Sequence, residues 1–174
     1  LNLYGDILSD IASQIAGSVG LGGSANVGPT VAMFEAVHGS APDVAGKGIA
    51  NPSGLLTAAI QMLVHLGQSE CASLIQNAWL KTLEDGMHTA DIYRSGLGNT
   101  EVTTEHFTDA VIERLGDAPA KLKPVQYRAG GIHIETTPVA PKRKELVGVD
   151  VFVDWVGEDR DPNVLGSILE QAAA

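Results

Sequence analysis

The amino-acid sequence predicts an α/β protein, on two observations. In several segments apolar residues recur at helical spacing, and these segments begin at capping residues and end at glycine. Between Val147 and Trp155, valine or tryptophan occupies every second position, a period typical of a β-strand. A chain of 174 residues is also long enough to bury a core of its own.

The first quarter of the chain predicts a strand, a helix, a loop and a second strand. Residues 1–5 are expected to form a short strand that turns into a helix near Asp6. The apolar residues at helical spacing predict one buried face, formed by Ile7, Leu8, Ile11, Ile15 and Val19. Crowded glycines predict a flexible loop over residues 17–28, and the apolar residues 31–37 predict a strand.

Three helices and a connection are predicted after an irregular loop over residues 38–50. The helices are expected over residues 51–67, 69–86 and 104–116, with caps at Asn51, Ser69 and Thr104. Prolines punctuate residues 117–143, which predicts a connecting segment with one possible strand over residues 131–136. The alternating strand follows, and a last helix is expected to begin at Asp161-Pro162.

Charge and composition exclude two classes of partner. The net charge of −10 and the isoelectric point near 4.7 argue against nucleic acid, since phosphate backbones are bound by clustered Lys and Arg. No apolar run approaches the ~20 residues that span a bilayer, so no membrane partner is predicted. A single cysteine, Cys71, predicts no internal disulfide, a reducing cytoplasm, and an inert, partly buried thiol.

Two aspartates four residues apart, Asp6 and Asp10, are the first candidate site. On a helix they lie on one face, with Cβ atoms ~5–6 Å apart, and can converge on one hard cation. Carboxylate oxygens suit Mg²⁺ or Mn²⁺. The spacing is common, however, and Asp6 could instead favour a helix N-terminus electrostatically while Asp10 is solvated. The pair alone does not decide between these interpretations.

A loop of small residues is the second candidate site. The stretch His38-Gly39-Ser40-Ala41-Pro42 presents a backbone surface that a flat ligand or a phosphate can approach closely. Asp43 follows, and a carboxylate is the acceptor expected for a ribose hydroxyl. The stretch does not match G-x-G-x-x-G, so a Rossmann site is not predicted. Taken alone, the loop could also be only a tight connection.

Three blocks together resemble the isocitrate/isopropylmalate dehydrogenase family. They are N-L-Y-G-D-I-L-S-D at residues 2–10 preceded by Leu1, G-S-A-N-V-G at 23–28, and F-E-A-V-H-G-S-A-P-D-V-A-G-K-G-I-A-N-P at 34–52. Their order and intervals both match. The resemblance runs to about Gly116 and implies the C-terminal part of a two-domain α/β subunit, with the N-terminal portion outside this chain.

The resemblance implies roles for named residues. Asp6 and Asp10 become ligands of Mg²⁺ or Mn²⁺, and Asp6 is also the candidate catalytic residue, assisting proton removal. The implied cofactor contacts are Glu35, His38, Gly39, Ser40, Ala41, Pro42, Asp43, Val44 and Asn51. A further metal aspartate, the substrate-clamping arginines and the acid/base Tyr and Lys are expected upstream or on a partner subunit. The chain alone is therefore expected to be inactive.

The choice of cofactor is predicted from Asp43. NADP-specific relatives tend to carry Lys-Tyr where this sequence has Asp43-Val44. A carboxylate there would accept from both ribose hydroxyls and repel a 2′-phosphate, so NAD is predicted and NADP is the less favoured alternative. Arg94, in T-A-D-I-Y-R-S-G at residues 89–96, is the one feature that favours NADP.

The resemblance also implies substrate, assembly and domains. F-E-A-V-H-G favours isocitrate over isopropylmalate, so oxidative decarboxylation in the tricarboxylic acid cycle by a homodimer with a shared active site is predicted. The alternatives are isopropylmalate or another 2-hydroxyacid as substrate, or a non-catalytic regulatory subunit. L-V-G-V-D-V-F-V-D-W resembles the start of a bacterial C-terminal extension. The predicted domains are 1–118, part of the dehydrogenase domain; 119–143, a connection; and 144–174, a small α/β appendage.

Overall fold

A computed structural model describes residues 2–128, 143, 145–148 and 161–173. It divides into two compact units, residues 1–136 and 137–174. The boundaries predicted at residues 118 and 143 stay predictions. The strands predicted at 131–136 and 147–155 lie wholly or mostly outside the described residues. No helix in the described part is long and apolar enough to cross a bilayer.

The first unit begins with a helix rather than the predicted strand. Helix α1 spans Asn2–Ala16 and ends at Gly17, whose φ of 135° is costly for any residue with a Cβ. The prediction of a strand over residues 1–5 was wrong because Leu3 and Tyr4 continue the helical apolar spacing of Ile7 and Leu8. The predicted burial was also wrong: Ile7 is 47% exposed and Ile15 is 82% exposed.

A β-hairpin occupies the segment where a flexible glycine loop was predicted. After a 3₁₀ turn over Val19–Leu21, strand β1 (Gly23–Val27) pairs antiparallel with β2 (Ala32–Ala36). The glycines serve close packing, because a Cβ on Gly23 would lie 2.5 Å from the backbone nitrogen of Ala58. The prediction of a strand at 31–37 is confirmed, and that of a loop at 17–28 is wrong for β1.

Three further helices form the core of this unit. Helix α2 (Ser53–His65) packs against the hairpin and against α3 (Ser69–Glu84), and α3 packs against α4 (Thr104–Glu113). Short parallel strands β3 (Met87–His88) and β4 (Thr100–Glu101), which were not predicted, join α3 to α4. The buried cluster Ala78, Phe107 and Val111 contacts Leu56, Trp79, Leu83 and Val102.

The boundaries of α2, α3 and α4 follow the prediction to within three residues, but two caps differ. Thr103, not Thr104, is the cap of α4, and its hydroxyl accepts from the His106 amide. Ser69 does not cap α3, because its hydroxyl donates to the carbonyl of Arg128 at 2.7 Å. Cys71 on α3 is exposed, which contradicts its predicted partial burial.

In the second unit the structure describes one helix and six residues before it. Helix α5 spans Pro162–Ala173 and begins where Asp161-Pro162 predicts. The Asp161 carboxylate accepts from the backbone amide of Asn163 at 2.9 Å, which satisfies one of the free amides of the first turn.

Candidate functional site

A cavity of about 740 Å³ lies between α1 and the β1–β2 hairpin. It brings together the predicted metal ligands with three of the predicted cofactor contacts, although these residues come from three separate segments. The residues that line it are Gly5, Asp6, Ser9, Asp10, Ser24, Asn26, Met33, Glu35, Ala36, Val37, His38 and Gly39. Polar side chains and backbone converge there from a helix, a hairpin and a loop.

The two aspartates lie one helical turn apart on α1 and face this cavity. Both side chains are exposed, and neither carboxylate hydrogen-bonds to any residue that the structure describes. Ser9 between them donates to the Asp6 carbonyl at 2.9 Å, a bond within the helix that leaves both carboxylates free. They can therefore supply two oxygen ligands to a hard cation, whose remaining positions suit water or substrate oxygens.

The described residues do not by themselves form a complete metal site. Across the described ranges, no group of three or more His, Cys, Asp or Glu side chains is arranged to hold a metal ion. Glu35 lines the same cavity but is not close enough to Asp6 and Asp10 to complete such a group. The resemblance implies a further ligand from outside this chain. The identity of that ligand stays a prediction.

The hairpin adds two polar residues that the sequence interpretation missed. Ser24 pairs directly with Glu35 across the strands, and Asn26 pairs with Met33. Asn26 donates from Nδ2 to Glu35 Oε1 at 3.2 Å, a diagonal cross-strand contact that orients the carboxylate. The signal was present in G-S-A-N-V-G, but without the hairpin register nothing connected residue 26 to residue 35.

The loop from His38 to Ala50 is irregular and exposed, as predicted. His38 Nδ1 lies 2.9 Å from its neighbour's carbonyl, that of Gly39. Ala41 has a φ of 43°, a left-handed conformation that residues with a Cβ adopt at a cost. Such strain persists only where the surroundings maintain it, and it is concentrated at functional segments.

Part of the predicted cofactor set lies away from the cavity. Six of the predicted contacts do not line it: Asn51, described below, and five consecutive loop residues, of which four are exposed while Val44 is half-buried. The five are Ser40, Ala41, Pro42, Asp43 and Val44. They form a turn in which the Val44 amide donates to the Ala41 carbonyl at 3.1 Å. The loop thus extends from the cavity onto an open surface.

The side chain of Asn51 is engaged inside the protein. It is 8% exposed, its Oδ1 accepts from the Ser53 amide at 3.0 Å, and its Nδ2 donates to Asp91 Oδ2 at 3.0 Å. Its predicted contact with a cofactor stays a prediction. A contact through the backbone of Asn51 would leave both side-chain bonds intact.

Asp91 is a second residue that the sequence interpretation missed. Burial acts to raise the pKa of Asp91, but hydrogen bonds from Ser18, Thr89 and Asn51 outweigh it and hold that pKa below its usual 3.8. Thr89 donates to Asp91 Oδ1 at 2.6 Å. The carboxylate therefore stays ionised and fixes the start of α2 to the segment after β3. Within residues 89–96, the sequence pattern had indicated only Arg94 as a candidate.

The chain is similar to known dehydrogenases. A family model for isocitrate/isopropylmalate dehydrogenase matches residues 1–111. The isocitrate dehydrogenase [NADP] of Rickettsia typhi is 57% identical over 161 residues, covering 88% of this chain and 32% of that protein. The isocitrate dehydrogenase [NADP] of Thermus thermophilus is 43% identical over 177 residues, covering 99% and 34% respectively. The chain thus spans about a third of the relatives it matches.

The fold is matched as well. The crystal structure of isocitrate dehydrogenase from Methylococcus capsulatus aligns with a TM-score of 0.60 at 43% identity, over 65% of this chain and 32% of that one. This similarity confirms the predicted α/β class. The family model confirms the resemblance inferred from the three sequence blocks, because the residues it matches, 1–111, include all three blocks.

The prediction of NAD as cofactor is wrong. The relatives from R. typhi and T. thermophilus both carry NADP in their names. The error lay in giving decisive weight to one carboxylate. Asp43 is exposed and hydrogen-bonds to no described residue, so its position is not fixed. Two charges 4 Å apart in water interact by about 1 kcal/mol, which a single nearby cation offsets.

Proposed function

Because the chain belongs to the isocitrate/isopropylmalate dehydrogenase family, we propose that its full-length protein converts isocitrate to 2-oxoglutarate and CO₂ with hydride transfer to NADP. The observation that carries the proposal is the cavity that joins Asp6 and Asp10 to Glu35 and His38. This arrangement holds oxygen ligands for a metal beside a loop suited to a nucleotide.

The aspartates of α1 are proposed to hold Mg²⁺ or Mn²⁺ together with ligands from outside this chain. The ion supplies Lewis-acid polarisation of the substrate's hydroxyl and carboxylate oxygens. Asp6 is proposed to assist removal of the hydroxyl proton, because its carboxylate lines the cavity and is unengaged. Glu35, oriented by Asn26 at 3.2 Å, is proposed to face the nicotinamide end of the cofactor.

The loop from His38 to Val44 is proposed to bind the adenosine end of NADP. Its exposed turn offers backbone groups for close approach, and the strained Ala41 holds the turn open. Lys47 and Arg94 are exposed cations, one in this loop and one in the segment after β3. They are candidates to meet the 2′-phosphate, and either would offset the charge of Asp43.

Assembly as a homodimer with a shared site is part of the same proposal. Support comes from the apolar side of α1, where Leu8 is 68% exposed and Ile15 is 82% exposed. A helix with that much apolar surface needs a cover in water. The incomplete metal site points in the same direction, because two carboxylates alone leave most of a cation's coordination positions to other donors.

The test uses the full-length enzyme with isocitrate, Mn²⁺ and either NADP or NAD. We expect NADPH formation and a fall of at least about 100-fold for Asp6→Asn or Asp10→Asn, since each removes a charged ligand. Asp109→Asn on the exposed side of α4 is the matched control and should retain activity. Direct titration of Mn²⁺ gives a second readout, because both aspartate variants should bind the ion more weakly.

Two results would contradict the proposal. Oxidation of isopropylmalate in place of isocitrate would select the other branch of the family. Full Mn²⁺ affinity in both aspartate variants would remove the metal role of α1 and favour a regulatory subunit. The chain of residues 1–174 alone is expected to show no turnover, because it covers only about a third of its relatives' length.

A further inference from the structure

Residues 118–128, here called the strap, run along α3 without forming a helix or a strand. In the described part of the chain, no backbone-to-backbone hydrogen bond involves the strap. Seven of its backbone groups hydrogen-bond instead to side chains of α3. This is unusual, because most protein hydrogen bonds of the backbone are made to other backbone groups.

Four residues of α3 make these bonds, and we call them the polar face of α3. Ser69 Oγ donates to the Arg128 carbonyl at 2.7 Å, and Ser73 Oγ accepts from the Tyr127 amide at 2.9 Å. Their spacing of four residues puts both on one side of the helix. Each of these two hydroxyls therefore hydrogen-bonds to one backbone group of the strap.

Asn77, the next residue on that side, makes a paired contact. Its Nδ2 donates to the Val125 carbonyl at 2.9 Å, and its Oδ1 accepts from the Val125 amide at 2.8 Å. The amide side chain thus binds residue 125 as a neighbouring β-strand would. An Asn side chain is well suited to this because it carries both a donor and an acceptor.

Glu84, in the last turn of α3, completes the polar face. Its carboxylate accepts from three consecutive amides: those of Ala120 at 3.0 Å, Lys121 at 2.5 Å and Leu122 at 2.9 Å. The side chain is only 5% exposed. The amides of Ala120 and Leu122 are the main cause that holds the pKa of Glu84 at about 2. A carboxylate so bound is ionised at neutral pH.

The strap also lies outside the part of the chain common to the family. The family model ends at residue 111, and the M. capsulatus structure covers 65% of this chain, whereas the T. thermophilus relative covers 99%. Because the polar face binds backbone atoms, it places little demand on the strap's own side chains, most of which are exposed.

We infer that the polar face of α3, formed by Ser69, Ser73, Asn77 and Glu84, is a binding surface for an extended peptide backbone. The chain fills this surface with its own residues 120–128, and Glu84 is the anchor. The surface thereby fixes the first residues added after the family core. This inference is independent of the proposed catalytic function, because none of the four residues lines the cavity at α1.

Amide hydrogen exchange measured by NMR on the 174-residue chain tests the inference residue by residue. We expect slow exchange at the bonded amides of residues 120, 121, 122, 125 and 127. Lys123 and Gln126, whose amides hydrogen-bond to no described residue, should exchange fast. Glu84→Gln should speed exchange about tenfold or more at 120–122, since a charged acceptor is lost. Ser73→Ala should speed exchange at Tyr127 alone.

Glu113→Gln on the exposed surface of α4 is the charge-matched control and should leave the strap unchanged. Trypsin gives an independent readout, with faster cleavage after Lys121 in Glu84→Gln than in the control. If Glu84→Gln unfolds the chain, the amides within α3 will also exchange fast. In that case exchange at Tyr127 in Ser73→Ala is the deciding measurement. Uniformly fast exchange over the strap would overturn the inference. Protection that grows with chain concentration would also overturn it, because a second copy's strap would then be the occupant.

Discussion

Helices α1 and α3 carry similar patterns in the sequence and have opposite surroundings in the structure. Each has apolar residues at helical spacing, which predicts one buried face. In α3, Ala78 is fully buried and lies against Phe107. In α1, Ile11 is 52% exposed, and within the described residues the helix contacts mainly the 3₁₀ turn after it.

The difference shows that an amphipathic pattern specifies a face but not what covers it. For the apolar face of α3 the cover is supplied by α2 and α4. In α1 the polar side, rather than the apolar one, faces other residues of the described chain, since Asp6 and Asp10 line the cavity with the hairpin. The apolar side of α1 therefore contributes little to the stability of this chain by itself. Substitutions at four positions, Phe107, Ile11, Gly23 and Gly5, test that contrast.

Phe107→Ala is expected to have the largest effect. Phe107 is fully buried between α3 and α4, so its truncation removes apolar contacts and leaves a cavity. The free energy of unfolding should fall by about 3–5 kcal/mol. Urea denaturation followed by circular dichroism measures the change.

Ile11→Ala on α1 is the matched apolar truncation. At 52% exposure it should change the free energy of unfolding by no more than about 0.5 kcal/mol. A loss comparable to that of Phe107→Ala would mean that the apolar side of α1 is covered in solution. Sedimentation at several chain concentrations would then show whether a second copy provides the cover.

A pair of glycine substitutions is expected to give effects of intermediate size and opposite sign. A Cβ on Gly23 would lie 2.5 Å from the Ala58 nitrogen, so Gly23→Ala should lower the free energy of unfolding by about 1–3 kcal/mol. Gly5, the fourth residue of α1, has no atom within 4 Å of a built Cβ. Gly5→Ala should raise helix stability by about 0.5–1 kcal/mol. Thermal melts of both variants measure these changes. An equal loss of stability in the two variants would contradict the contrast between α1 and the packed part of the chain.

The last prediction concerns acid and the strap. The pKa of Glu84 is about 2 in the folded chain, below its usual 4.5, with the amides of Ala120 and Leu122 as the main cause. A depressed folded pKa stabilises the fold fully above the unfolded value and progressively less as pH falls from 4.5 towards 2. Glu84→Gln should remove this part of the acid dependence, while Glu113→Gln should not. Urea midpoints measured across that pH window compare the two variants.

Much of the helical structure could be predicted because its signals are local. Asn51-Pro52, Gly67, Gly86 and Asp161-Pro162 mark helix boundaries through caps and backbone conformation, which depend on a few adjacent residues. The hairpin could not be predicted in the same way. Its glycines resemble a loop, and their function is to let β1 approach α2, a contact between residues far apart in the chain.

The residues of the candidate site divide in the same way, into those with a local signal and those that depend on a distant partner. Asp6, Asp10 and the loop at His38 were found because their residue types and intervals match a family. Asn26 and Asp91 were missed, since each acts through a partner distant in sequence: Glu35 across the hairpin and Asn51 at the start of α2. The cofactor prediction failed for a related reason, because the effect of Asp43 depends on where its exposed side chain lies.

The sequence by itself determined the family, the pair of metal-ligand candidates and where most helices begin and end. These properties follow from residue identity, short spacing and local backbone chemistry. Only the tertiary structure decided that the Asp6 face of α1 lines a cavity with the hairpin, that its apolar face is left exposed in this chain, and that α3 binds the strap. Burial and hydrogen-bond partners depend on which surfaces pack together. The spacing of apolar residues along one helix carries no information about the surface that packs against it.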